Sequence, residues 1–316
     1  MTTQGNSVIK AHILMIFLVM LWGFDYVVAK FGMYDLTPTC LLFMRVSIGA
    51  IVLGIIKLVR RDMSLIKKRD IPILIACSMF GEILYFECEF NAMTYLPVSL
   101  LTILLAFVPA LSVVIERVVF KRKANVKIII GIIFCIVGIV FVIGADFSIL
   151  FEGRMIGYLI AFGAVICWNV FNFLTAELDE YDSISLAFMQ LLCAGLILVP
   201  FALHSMPAPE QWDGSLLIIV LYMGVVNAAL GFVIYVYAIK VIGPTPAAVY
   251  SDFMPVTSAI CGVIFLHETI TPLQIAGGII VVAAGYVVIR EKGKLDEQRQ
   301  GMNNDNVCDI IQSDKS

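Results

Sequence analysis

The chain has 316 residues, of which 61% are hydrophobic and 14% charged, with a formal net charge of -3. A soluble domain is about 45–50% apolar and about 25% charged, so a water-soluble fold could not hide this much apolar surface. The apolar residues fall in runs near the roughly 20 that cross a hydrocarbon core of about 30 Å as a helix, and the alternation of a barrel strand is absent. The composition indicates an all-α integral membrane protein, and the charge has to be read loop by loop.

In chain order, residues 1–10 form a short polar N-terminus, and apolar runs predict helices near 11–31, 38–58, 71–95, 98–118, 126–144, 156–176, 184–204, 215–239, 246–266 and 272–289. The first carries Asp25 and Lys30 with no small-residue cleavage site after it, and reads as a retained helix. The connection with Arg60, Arg61, Lys67, Lys68 and Arg69 and the one with Lys121, Arg122, Lys123 and Lys127 are strongly basic, which places both in the cytoplasm. Counting outward from them puts both termini inside as well, an N-in/C-in protein of a bacterial inner (plasma) membrane. The external connections then hold Asp35, Asp146, Glu152, Glu210, Asp213 and Glu268, with Arg154 as the basic exception. The internal stretch Glu177–Asp182 is acidic, against the trend, but acidic residues weigh little in the rule. Residues 291–316 turn polar and charged, and are expected to be a disordered cytoplasmic tail.

Several chemistries find no support. Seven of the eight cysteines lie in apolar runs with no CxxC pair, and read as small buried hydrophobes; three scattered histidines do not suggest a metal site. No P-loop, GxGxxG, HExxH or nucleophile elbow is present, so no cofactor and no enzymatic role is expected, and energy must come from a gradient.

Shifting the chain on itself by 146 residues superimposes Trp22 on Trp168, Phe86 on Phe232, Ala92 on Ala238, Phe107 on Phe253, Pro109 on Pro255, Ser112 on Ser258 and Gly131 on Gly277. A shift of 145 aligns Phe43-Met44-Arg45 with Phe188-Met189-Gln190. Residues 11–145 and 155–290 therefore read as two copies of five spans each. An odd number of spans makes the second copy enter from the opposite side, the inverted-repeat pattern of secondary transporters, with a substrate site near the midplane.

The stretches LWGFDYVVAK and RVSIGA, the Pro109 and Pro255 helices, and above all FLHETITPLQIAGGIIVVAAGYVVI resemble the EamA branch of the drug/metabolite transporter superfamily. The resemblance covers about residues 11–290. It implies a ten-helix, N-in and C-in exporter fold whose members handle amino acids, other metabolites or drugs. Two positions depart from the pattern: the first copy has Arg122 where the second has Glu268, and Phe24-Asp25 replaces the small polar residue usual after Trp-Gly.

Ionisable side chains at membrane depth cost about 2.5–3.5 kcal/mol each on insertion scales, which makes each a functional candidate. Asp25, Arg45, Glu87 and Glu89 lie at depths that agree within about one helical turn, so Arg45 can meet a carboxylate from either neighbouring helix. Glu82 and Glu89 share one face of the third helix, with Glu87 pointing away. Four acids against one arginine predict that some are protonated or that a cation sits among them. Asn169, Asn172, Gln190, Asn227 and Asp252 are the milder positions of the second copy, as fit for interhelical hydrogen bonds as for ligand contacts. Trp22 and Trp168 lie too deep for an interfacial belt, which leaves cavity lining or packing.

The substrate or proton pathway expected from these residues comprises Trp22, Asp25, Arg45, Glu82, Glu89, Trp168, Asn172, Gln190 and Asp252. The partners implied are membrane lipid, a small-molecule substrate and protons as coupling ion, with no nucleic acid and a homodimer left open. The expected activity is proton-coupled efflux of a small amphipathic or cationic metabolite such as an amino acid. The alternatives are a passive channel or a carrier of drugs, nucleotide sugars or lipids.

Overall fold

The computed structural model describes residues 3–62, 64, 66–118, 121, 125–143, 154–178, 180–208, 212–242, 250 and 253–313. Within them every regular element is helical and no strand occurs. Asp252, Arg122, Lys123, Pro244 and Pro246, and the acidic Asp146, Glu152 and Glu210, lie outside the described residues.

The first copy comprises α1 (Thr3–Gly32), α2 (Pro38–Val59), α3 (Ile71–Cys77), a π-helical segment (Ser78–Leu84), α4 (Tyr85–Tyr95), α5 (Val98–Leu105), α6 (Val108–Val118) and α7 (Val126–Ile143). The second comprises α8 (Arg154–Ala176), α9 (Ser183–His204), α10 (Gly214–Leu221), a second π-helical segment (Tyr222–Gly231), α11 (Phe232–Ile242), α12 (Met254–Phe265) and α13 (Pro272–Ser313). Among the described residues eight helical stretches are long and apolar enough to cross a membrane, and the shorter apolar helices Val126–Val142 and Met254–Phe265 stand where the fifth and ninth spans are expected.

Local chemistry sets the boundaries. Thr37 caps α2 by accepting from the Cys40 amide at 3.3 Å, and Pro38, which needs no amide partner, opens the helix. At the 145 offset, Asp182 caps α9, accepting from Ile184 and Ser185 at 3.1 and 3.3 Å. The fourth span breaks at Ala106–Phe107, just before Pro109, whose missing N–H and ring clash prevent an unbroken helix. Pro255 stands in the first turn of α12, where its missing N–H is tolerated. Left-handed residues recur too: Lys121 (φ 52°) and His267 (φ 54°) are one repeat apart. The two π-helical segments overlap at the 146 offset, although nothing in their sequences announces the widened turn.

The two copies interleave. α7 packs along α13, α2 along α9, α4 along α8, and α1 against α11 and α12. At the α7–α13 crossing, a side chain on Gly277 would meet the Gly138 carbonyl at 2.6 Å, so only glycine allows this approach. Ile133, Leu159, Leu196, Ile218, Ile260 and Ile279 are among the large apolar residues left exposed on the bundle surface, an apolar exterior that water would not support.

One expectation changes. α13 runs on as helix to Ser313, through residues expected to be disordered. The segment is poor in apolar residues but carries Lys, Leu, Glu, Gln and Arg at its start, all strong helix formers that can propagate a helix already nucleated by the packed span.

Candidate functional site

The buried charges converge on one place. α1 supplies Asp25 and Tyr26, α2 supplies Arg45, the first π segment and α4 supply Glu82, Tyr85, Phe86 and Glu89, and the second π segment supplies Asn227. Arg45, only 3% exposed, lies 3.5 Å from Asp25 through Nη1 and donates from Nη2 to the Asn227 side-chain oxygen at 2.7 Å. Its guanidinium rests over the Phe86 ring, 3.8 Å from the centroid, so the flat face of the cation is covered by π electrons rather than lipid. Glu89 accepts from the Tyr26 hydroxyl at 3.3 Å. Glu82, 1% exposed, sits on the π segment with Oε1 lacking a hydrogen-bond partner.

Satisfaction is incomplete. Asp25 Oδ1, Arg45 Nη1, Glu82 Oε1, Gln190 Nε2 and Trp22 Nε1 are buried without hydrogen bonds. Each such group carries a desolvation cost of about 1–3 kcal/mol or more, which makes the cluster a place where a proton, water or ligand is favoured. Three buried carboxylates against one guanidinium leave a surplus of negative charge, so the arrangement suits a cation or transferable protons.

The cluster is one-sided with respect to the repeat. At the 146 offset Asp25 falls on Phe171, Asn227 on Gly81 and Glu82 on Ala228, while at 145 Gln190 stands for Arg45. A side chain on Gly81 would run into the Phe171 ring, so the related crossing is filled by an aromatic ring instead of charge.

The expected pathway residues separate accordingly. Asp25, Arg45, Glu82 and Glu89 come together. Gln190 is buried nearby on α9, its backbone carbonyl accepting from Ser78 Oγ at 3.1 Å. Trp168 packs on Tyr85 and Phe171 at centroid distances of 4.6 and 5.1 Å, and Trp22 on Tyr235 and Phe232 at 5.4 and 6.1 Å. The two tryptophans are half-buried in aromatic packing on different helices. Asn172 is exposed and makes no hydrogen bond to the cluster. Glu87 instead accepts from the Asn91 side chain on its own helix at 3.1 Å. Tyr26 and Phe86 were not singled out for the site by the sequence; their signal was only that of aromatic residues within apolar runs, whereas Asn227 was read as a residue fit for an interhelical hydrogen bond or a ligand contact and makes such a hydrogen bond to Arg45.

A second joint links the copies. The Glu268 carboxylate accepts from the backbone amides of Val98 at 2.6 Å and Ser99 at 3.0 Å, capping the N-terminus of α5. Left-handed His267 turns the chain so that this acid can reach across.

Comparison with known proteins accords with this architecture. The EamA-like transporter family profile matches twice, at residues 9–144 and 155–290. The "Uncharacterized transporter YoaV" of Bacillus subtilis (strain 168) is 23% identical over 275 residues, covering 86% of this chain and 94% of that one. The "Probable amino-acid metabolite efflux pump" of Salmonella typhimurium is 23% identical over 291 residues, 88% of this chain and 94% of its own. The "Threonine/homoserine exporter RhtA" of Escherichia coli (strain K12) is 24% identical over 224 residues, 68% and 74% of the two chains. A solved crystal structure superimposes with a TM-score of 0.65 at 16% identity, covering 88% of this chain and 98% of its own, a likeness of fold alone. With both halves matched by the same family, the chain belongs to the EamA-like transporter family, whose members are membrane transporters and not enzymes.

Proposed function

We propose that this transporter is a secondary active exporter that moves a small amphipathic or cationic metabolite, such as an amino acid, in exchange for protons. The observation that carries the reading is the buried cluster of Asp25, Arg45, Glu82 and Glu89, placed where helices of both copies cross and holding more carboxylates than cations. The names of the Salmonella typhimurium and Escherichia coli relatives, an amino-acid metabolite efflux pump and a threonine/homoserine exporter, support the substrate class. In this reading ten spans form two inverted repeats, 11–145 and 155–290, with both termini cytoplasmic in a bacterial inner membrane.

The inversion draws support from the loops. The connection after the second span of the first copy pairs with the connection after the first span of the second copy, through Lys67 and Arg69 to Glu180. Two parallel copies would put those connections at opposite ends. The substrate or proton pathway comprises the cluster with Gln190, and Trp22, Trp168, Asn172 and Asp252 are the outer candidates.

The test is transport in proteoliposomes against a panel of amino acids, amines and sugars, with and without an imposed pH gradient. Saturable, gradient-dependent movement of an amino acid or amine supports the reading. Conductance without saturation, or movement indifferent to the gradient, would replace it with a passive channel.

A further inference from the structure

At one end of the bundle the two connections named above are tied by more than ion pairs. Arg61 adopts a left-handed conformation (φ 54°) just past α2, and the Asp62 amide reaches back to the Lys57 carbonyl at 3.0 Å. That reversal brings Asp62 and Ser64 over the end of α2. The buried Lys57 ammonium donates to the Ser64 carbonyl at 3.0 Å and to Ser185 Oγ at 2.5 Å, with Asp62 at 3.6 Å. Ser185 in turn donates to Asp62 at 2.8 Å. Further along, Lys67 pairs with Glu180 at 2.5 Å and Arg69 with the same carboxylate at 3.0 Å, while the Tyr181 hydroxyl donates to Asp70.

The repeat shows what the other end has in its place. At the 145 offset Lys57 falls on Ala202, Ser185 on Cys40 and Arg61 on Met206; Glu180 corresponds to Asp35, and Lys67 and Arg69 to Trp212 and Gly214. Where one end has an ammonium, a hydroxyl and a carboxylate, the other has a contact of 3.7 Å between Cys40 Sγ and Met206 Sδ. Among the described residues no ion pair joins the two connections there. A cleft of about 500 Å³ opens at that end between the start of α2 and the end of α9, lined by Thr37, Thr39, Pro200, Phe201, His204 and Ser205.

We infer that the network joining residues 57–70 to residues 180–185 is a latch that holds the bundle closed at this end, and that among the described residues the opposite end has no equivalent. Two interchanging copies of one fold would otherwise favour both closures equally; the latch biases the resting state toward the one sealed on the Lys57 side. The two alternating closures rest on the secondary-transport reading proposed above, and the name of that side, cytoplasmic, on the topology proposed with it.

The test is hydrogen–deuterium exchange by mass spectrometry on the full chain in lipid nanodiscs, which needs no substrate and no transport. Glu180→Lys should speed exchange in residues 66–70 and 177–185 by roughly fivefold, the worth of a small network of exposed pairs, and should also speed it in the π segment 78–84 as the end opens. Adding Lys67→Glu and Arg69→Glu should restore protection. Ser185→Ala removes the hydroxyl shared by Lys57 and Asp62 without reversing charge, and should act in the same direction even if Glu180→Lys does not fold. Cys40→Ala, its repeat counterpart, should leave both ends as they were. Exchange that rises in the loops alone would reduce the network to a local tether, and failure of the reversed pairs to restore protection, or an equal response to Cys40→Ala, would overturn the latch.

Discussion

A guanidinium in the middle of an apolar helix persists only if its charge is answered on every side, and Arg45 is answered by Asp25, Asn227 and the face of Phe86. Arg45→Ala would leave Asp25 buried without its counter-charge, at a cost of about 3–5 kcal/mol. The folded yield and melting temperature in detergent should fall well below those of an Asp25→Asn/Arg45→Gln pair, which removes both charges together. Equal stability of the two variants would mean that the ion pair is not the main counter-charge. The glutamates differ, because Glu89 is held by Tyr26 while Glu82 keeps an oxygen without a partner. Under the proposed mechanism Glu89→Gln and Glu82→Gln should each abolish proton-driven accumulation while substrate-for-substrate exchange persists, measured at matched protein levels. Full proton-driven transport in both would remove them from the coupling step. Trp22→Ala, by contrast, removes aromatic packing on Tyr235 and Phe232, and is expected to lower the melting temperature more than it changes apparent KM.

At the scale of an element, the broken fourth span depends on a residue from the other copy. Glu268 supplies both hydrogen bonds at the N-terminus of α5, so Glu268→Ala should cost about 0.5–2 kcal/mol and raise exchange at Val98 and Ser99 first. A protected α5 in that variant would assign its order to packing instead. The latch makes a pH prediction with a definite sign. Hydrogen bonds from Ser64 and Ser185 hold the Asp62 carboxyl below its ordinary value, the Lys67 ammonium does the same for Glu180, and the Tyr181 hydroxyl for Asp70. A depressed carboxylate contributes stability that is present above its unfolded value, about 4, and is lost as pH falls through the lower folded value. Acidification from pH 7 to about 5 should therefore leave the latch closed, and loosening should begin only below the ordinary carboxylate range. Exchange in residues 177–185, corrected for the intrinsic rate, is the measurement; opening near pH 6 would point to a different titrating group.

Across the whole molecule, the duplication reaches finer detail than the paired residues in the sequence. Helix caps at Thr37 and Asp182, helix starts with Pro109 and Pro255 in the first turn, left-handed turns at Lys121 and His267, and overlapping π segments all recur at offsets of 145 or 146. The acidic stretch at Glu177–Asp182, an exception to the charge rule, is accounted for because Glu180 lies against the basic connection and pairs with it. Reporter fusions placed after Lys68 and after Lys292 should read cytoplasmic, and one near Asp213 external. An external reading at Lys68 together with a cytoplasmic one at Asp213 would turn the whole assembly over, and a shared reading at Lys68 and Asp213 would break the antiparallel arrangement.

The sequence by itself determined the class, because an apolar fraction of 61% admits no aqueous fold, and it located where several helices begin, because prolines and caps act within a few residues of where they stand. It also exposed the duplication, and with the depths of Asp25, Arg45 and Glu89 it placed an arginine within reach of an acid. Only the tertiary structure decided which acid that is, that Asn227 from the far copy binds the arginine, that Asn172 faces outward away from the charge cluster, and that Glu268 caps α5. Those choices depend on how one helix is rotated against another through glycine contacts and π turns. No periodicity along a single chain records such a rotation, since a polar residue in an apolar run reads alike whichever neighbour it will meet.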